Sequence, residues 1–223
     1  EGIFFTMDAY RSYEERKTIG QINELFDEYR HHLTIRDTYN KFFVAKSHLL
    51  SLRQDISSPL DEKDFLKEYK HLLQNKPEDK FREDLRLFLS SKLKANFLTK
   101  EHILENFKRL DIYMQDELGE LYLIEVKWVG TSIHHLGKKE GTTYEAKDIN
   151  PAAVRQSVDY LKKLHNEQKN VKLGYLAVFD ARKEDLPDTV SSIRDDIFND
   201  EDKIHFRKFR KIPDFRVTNE HPA

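Results

Sequence analysis

Residues 109–130 read RLDIYMQDELGELYLIEVKWVG, two apolar stretches joined by a tight turn. The second, Leu121 to Val129, is apolar except for Glu125 and Lys127. A run of this kind belongs in the middle of a sheet, covered on both faces. Ionised groups there are costly unless they are paired or bind metal. The spacing predicts a three-residue hairpin loop, Glu117-Leu118-Gly119, with Gly119 in the left-handed conformation that ends such loops. In that register Gln115 faces Leu121, Tyr113 faces Leu123 and Asp111 faces Glu125. Residues directly opposite on one face sit about 5 Å apart at Cβ. Glu125 and Lys127, two apart on one strand, share that face. Two carboxylates and an ammonium therefore converge. Facing carboxylates repel each other. A hard divalent cation between them removes the repulsion, and oxygen ligands at about 2 Å suit magnesium. The plainer reading is an amphipathic hairpin with a surface salt bridge, but Leu123, Ile124, Val126 and Trp128 leave little room for an exposed face.

Upstream of the hairpin, Asn75-Lys76-Pro77 reads as a break, and a helix is expected from near Glu78 through EDKFREDLRLFLSSKL. Phe81, Leu85, Phe88 and Leu89 form its buried stripe, and Glu78 lies on the same stripe. A carboxylate in a first helical turn complements the helix dipole. Glu83 points away from the stripe and Asp84 lies at its margin. Downstream, Gly130 to Asn150 is a long connection containing His134, His135, Lys138 and Lys139. Asn150-Pro151 then reads as cap and first turn of a helix, PAAVRQSVDYLKKLHNEQ. Gln156 and Tyr160 share one of its faces. Val171 to Asp180 is a second apolar strand, expected to cross over and lie parallel to the Glu125 strand. Ile204 to Ile212 alternates in part and is expected as a basic edge strand. Its Arg207, Lys208, Arg210 and Lys211 would face solvent or nucleic acid. Lys92, Lys94, Lys100, Lys108 and Arg109 form another run of basic residues.

In its order of elements the chain resembles the PD-(D/E)xK nuclease superfamily. The resemblance rests on Asp111, then Glu125-Val126-Lys127 on the next strand, and covers about residues 77 to 212. Leu110 stands where the family has proline. Glu78, with Phe81 and Arg82 after it, matches the glutamate that in many members completes the metal site. Gln156 and Tyr160 match the QxxxY element of one large branch. The resemblance implies an α/β fold, a restriction-endonuclease-like core with a mixed central sheet flanked by helices. It also implies a magnesium- or manganese-dependent nuclease acting on nucleic acid, DNA in the first instance. Asp111, Glu125, Glu78 and the Val126 carbonyl would hold the metal. Lys127 would orient water and stabilise charge, and Gln156 would help order the site and DNA. Tyr160, Arg155, Lys138 and Lys139 are candidate nucleic-acid contacts. Defence against foreign DNA would suit such an enzyme. A catalytically silent nuclease-fold module for nucleic-acid binding or protein assembly is the alternative.

The expected domains are a helical segment over 1–75, a nuclease domain over 76–215 and a tail over 216–223. Ile19, Ile22, Leu25, Phe26, Tyr29 and Leu33 form one helical stripe of the first segment. Tyr39, Phe42, Phe43, Leu49 and Leu50 suggest a second helix. A third is expected after Ser58-Pro59, with Phe65, Leu66, Tyr69, Leu72 and Leu73. This segment is a candidate for homodimer formation or linkage. The chain opens at Glu1, which points to further domains of a longer parent protein.

Composition sets outer bounds. In 223 residues, 35% are charged, and the formal net charge is -2, so any basic surface must be local. The absence of cysteine excludes disulfides, thiolate zinc sites and cysteine nucleophiles, and is compatible with a cytoplasmic location. No apolar run approaches membrane length, so no membrane partner is expected. Neither a phosphate-binding P-loop nor a nucleophile elbow occurs.

Overall fold

The computed structural model describes residues 15–35, 40–95, 97–103, 109–133, 141–149, 151–167, 169–184, 186–190 and 195–217. Its elements in chain order are β1 (Lys17–Thr18), α1 (Ile22–Leu33), α2 (Lys46–Asp55), α3 (Glu62–Tyr69) and α4 (Pro77–Lys92). Then come β2 (Leu93–Lys94), β3 (Phe97–Ile103), β4 (Arg109–Gln115), β5 (Leu121–Ile133) and β6 (Gly141–Tyr144). The chain continues through α5 (Ala146–Ile149), α6 (Ala152–Asn166), β7 (Val171–Asp180), α7 (Asp200–Phe206), β8 (Phe209–Lys211) and β9 (Phe215–Arg216).

The fold is α/β, a mixed sheet flanked by helices. The strand order is β3-β4-β5-β7-β8, with β6 added to β5 and β9 to β7. Strands β3, β4 and β5 are antiparallel neighbours, whereas β7 runs parallel to β5, as the intervening helix requires. The apolar run of β5 is explained by cover on both faces. Tyr122, Ile124, Val126 and Trp128 pack in one cluster with the stripes of α1 and α4. Leu121, Leu123 and Val129 pack in a second cluster with Val154, Val158, Leu161 and Leu164 of α6. One strand thus carries alternate residues into two cores.

The first segment joins the same core as the sheet. Phe26 and Tyr29 of α1 pack edge-on against Phe215, and Phe81 of α4 stacks on Phe179 of β7 with ring centroids 4.4 Å apart. The boundary drawn at residue 75 therefore cuts through a shared core, with α1 on one side of it and α4 and the sheet on the other. Only α2 and α3 keep a small cluster of their own, in which Val44, Leu49, Phe65 and Leu72 close on Ile133 of β5. The segment is also not wholly helical, because β1 pairs with β2.

Several expected boundaries move. The second helix begins only at Lys46; Phe42, Phe43 and Val44 before it are all buried, and Phe43 bridges to Leu73. Three consecutive buried side chains suit extended chain between packed layers better than a one-striped helix. Strand β5 runs on to Ile133 and is met by β6, so part of the expected long connection is a ribbon. Helix α6 starts at Ala152 with Pro151 in the capping position, after the short α5. The expected strand over 204–212 is split. Asn199 accepts from the Asp202 amide at 2.8 Å and Asp200, Glu201 and Asp202 fill a first turn, so residues to Phe206 are helical and β8 has three residues. Arg216 and the buried Val217 belong to the fold, not to a tail. Among the described residues no helix is long and apolar enough to cross a membrane.

Candidate active site

The site begins with the turn. Gly119 has φ +76°, and the Asp116 carboxylate accepts from the amides of Leu118 and Glu120 at 2.9 and 2.8 Å. This asparagine-type turn by an aspartate fixes where the two strands reverse. The register is as expected, with Gln115 opposite Leu121 and Tyr113 opposite Leu123. The ladder ends at Ile112 opposite Ile124, one pair short of the expected facing of Asp111 and Glu125. Two steps further the same register would set Val126 opposite Leu110; the Val126 amide donates instead to Oδ2 of Asp111 at 2.8 Å. The strands part there, and the carboxylate takes the place of a backbone acceptor.

Beyond this fork β7 occupies one edge of β5 as far as Val129. Leu73 then takes that edge by bonding Thr131 and Ile133, which leaves β6 on the edge that β4 uses. Residues 125–129 therefore lie in the interval between β4 and β6, and this interval holds the charged groups.

Helix α4 delivers two of them. Lys76 is left-handed at φ 54°, Pro77 opens the helix, and Phe81, Leu85 and Leu89 anchor its buried stripe. Glu78 and Arg82, one turn apart, then face the fork. Arg82 donates from Nη1 to Oδ1 of Asp111 at 2.8 Å and from Nη2 to Asp79 at 2.6 Å. Lys127 donates to Glu125 at 2.7 Å, with Oε1 of Glu78 at 3.6 Å. Asp111 and Glu125 are 6% and 4% exposed. The Glu78 side chain keeps 37% of its surface, which puts it at the mouth of the site.

The electrostatics reflect this crowding. Burial, then the charge of Asp111, pushes the Glu125 carboxyl up to about 8 against the pull of Lys127. Burial also raises Glu78. Burial works against the Lys127 ammonium, yet Glu125, Glu78 and Asp111 outweigh it and raise its pKa. Three carboxylates, Asp111, Glu125 and Glu78, face the cations Lys127 and Arg82, and the excess negative charge favours holding protons or binding another cation.

Helix α6 closes the other side. Gln156 donates from Nε2 to the Tyr160 hydroxyl at 2.7 Å. Tyr160 lines a small cavity together with Glu125, Leu110 and Ser157. Its phenol is raised by burial, and the charges of Glu125, Lys127 and Asp111 reach it. Arg155 is exposed on the same helix.

The remaining candidates separate clearly. Glu83 pairs with Arg86 at 2.8 Å. Asp84 is buried in a polar cluster with Tyr29 and Lys41, each at 2.9 Å. Lys208 holds the Val171 carbonyl and Lys211 holds Asp214, so the basic run of β8 is partly committed to local contacts. Lys94 lies 4.0 Å from Glu117. His134, His135, Lys138, Lys139 and Lys108 lie outside the described residues. The residue that sequence reasoning leaves without a role is Arg82, although its place one turn after Glu78 on a buried stripe is a usable signal.

Among the described residues no group of three or more His, Cys, Asp or Glu stands ready as a preformed metal cage. The donor chemistry nevertheless fits a hard cation. Asp111, Glu125 and Glu78 offer carboxylate oxygens and Val126 offers a carbonyl. Each Asp111 oxygen accepts one of these bonds, and a carboxylate oxygen has two lone pairs. Compared with protein-family models, curated proteins and solved structures, the chain finds no match.

Proposed function

We propose that this chain is a metal-dependent nuclease with a restriction-endonuclease-like core, hydrolysing phosphodiester bonds of nucleic acid, DNA in the first instance. The observation that carries the reading is the meeting of Asp111, Glu125, Lys127 and Glu78, from three separate elements, at the fork of two strands. Asp111, Glu125, Glu78 and the Val126 carbonyl would hold magnesium or manganese. When bound, the ion would make a water more acidic and offset charge on the phosphate oxygens. Lys127, kept as an ammonium by its carboxylate neighbours, orients the attacking water and neutralises charge building on the phosphate. The same protonation argues against Lys127 as the general base. Arg82 holds Asp111 in place, and Gln156 with Tyr160 walls the site on the α6 side.

The test is cleavage of plasmid, linear duplex, single-stranded DNA and RNA with magnesium or manganese. Wild type should cleave at least one substrate only with metal. Lys127→Ala and Asp111→Asn should lower the rate on the order of 10²-fold or more while the circular dichroism stays native. One observation favours a second reading, a silent module: both Asp111 oxygens are already bonded within the protein. That reading expects association with DNA or protein and no cleavage in any metal.

A further inference from the structure

On the face of the sheet opposite α6, helix α1 and strands β7 and β8 border a cleft of about 370 Å³. That is the size of small-molecule sites. Its floor is apolar, formed by Phe26, Leu173 and Ile212. Tyr175 of β7 and Arg210 of β8 are register partners, so they stand side by side. Arg30 is bound to Asp27 and to the Pro213 carbonyl, and Lys211 is bound to Asp214 at 2.5 Å. Arg210 differs. It is exposed, its bonds run from Nη1 to the carbonyls of Arg207 and Phe209 at 2.8 and 2.7 Å, and no carboxylate pairs with it among the described residues. The cleft thus presents one uncompensated guanidinium beside a phenol and the Asn23 amide, over an apolar floor. Burial raises the Tyr175 phenol, so its hydroxyl remains a donor at neutral pH.

We infer that this cleft binds a nucleoside monophosphate. A single guanidinium with two neutral donors matches one phosphate group, which arginine takes in a bidentate fork. The apolar floor takes a flat ring, as it would not take a bare anion. Asp27, also at the cleft, holds Arg30 through Oδ1, and its other oxygen is the acceptor for a ribose hydroxyl. The cleft shares only Tyr175 with the small cavity beside Glu125, and its Asn23 and Arg210 lie outside that cavity.

The test is calorimetric titration of the full chain with AMP, inorganic phosphate and adenosine as separate probes. The expected result is one AMP per chain, with phosphate and adenosine each at least about tenfold weaker. Arg210→Ala should weaken AMP binding about tenfold or more, the worth of a charged bidentate contact. Asn23→Ala should weaken it less, and Asp111→Asn should leave it unchanged. Arg210 and Asn23 are exposed, and should Arg210→Ala misfold, Asn23→Ala carries the test. The inference is overturned by absence of AMP binding, by full affinity in both cleft variants, by loss in Asp111→Asn, or by phosphate binding as tightly as AMP. None of these outcomes depends on whether the protein cleaves nucleic acid.

Discussion

Arg82 and Asp111 illustrate how far single residues govern this protein. They form a buried ion pair at 2.8 Å, and removing one member strands the other. Arg82→Ala should therefore cost roughly 3–5 kcal/mol in urea denaturation. A loss below about 1 kcal/mol would mean that water reaches Asp111 freely. Glu125 makes the opposite contribution. Its folded pKa, about 8, lies above the ordinary carboxylate value. A group raised in this way stabilises fully below its unfolded pKa, and that contribution disappears as pH rises through the folded value. In EDTA, wild-type Tm should fall between pH 5 and pH 8 relative to Glu125→Gln, whose side chain does not titrate. Parallel Tm curves for the two proteins would contradict the assignment. At this scale the sequence is legible in part: it names Asp111, Glu125, Lys127 and Glu78, but the expected pairing of Asp111 with Glu125 lies beyond the end of the ladder. It marks Arg82 as a companion of Glu78 but does not reveal its pairing with Asp111, because an arginine beside a buried stripe reads equally well as solvated.

Among the elements, the hairpin decides the register, and one glycine decides the hairpin. Gly119 sits at φ +76°, a conformation that costs other residues about 1–2 kcal/mol. Gly119→Ala should lose about that much stability by chemical denaturation, and an unchanged midpoint would show that the loop relaxes. The turn is legible because glycine at that place and the flanking apolar pattern point the same way. The helix over 200–206 is less legible. Its apolar Ile204 and Phe206 alternate as a strand would, and only the cap at Asn199 distinguishes the two. The reach of β5 beyond Val129 is hidden for another reason: Gly130 breaks the strand pattern, yet β6 and Leu73 supply partners on both edges. Gly130 takes φ +133° there, and a Cβ would lie 3.0 Å from the Ala181 carbonyl oxygen.

The whole molecule is built around one large sheet with a core on each face, and its first helix is part of one of them. Ile22, Leu25, Phe26 and Tyr29 are all but fully buried against Phe81, Leu85, Phe179 and Phe215. Each such side chain contributes roughly 1.5–3 kcal/mol. A fragment starting at residue 76 should therefore bind a hydrophobic dye and lack a cooperative thermal transition, whereas the full chain melts cooperatively. A fragment that melts cooperatively near the full-chain Tm would show that the sheet stands without α1. Amphipathic stripes announce these helices but not their packing partners, because a stripe records that a face is buried and not against which element. Manganese binding probes the fork of β4 and β5. Calorimetric titration of manganese into wild type should give saturable heat, lost in Asp111→Asn and in Glu125→Gln with the fold intact. No binding by wild type, or binding undiminished in both variants, would contradict a metal site at the fork.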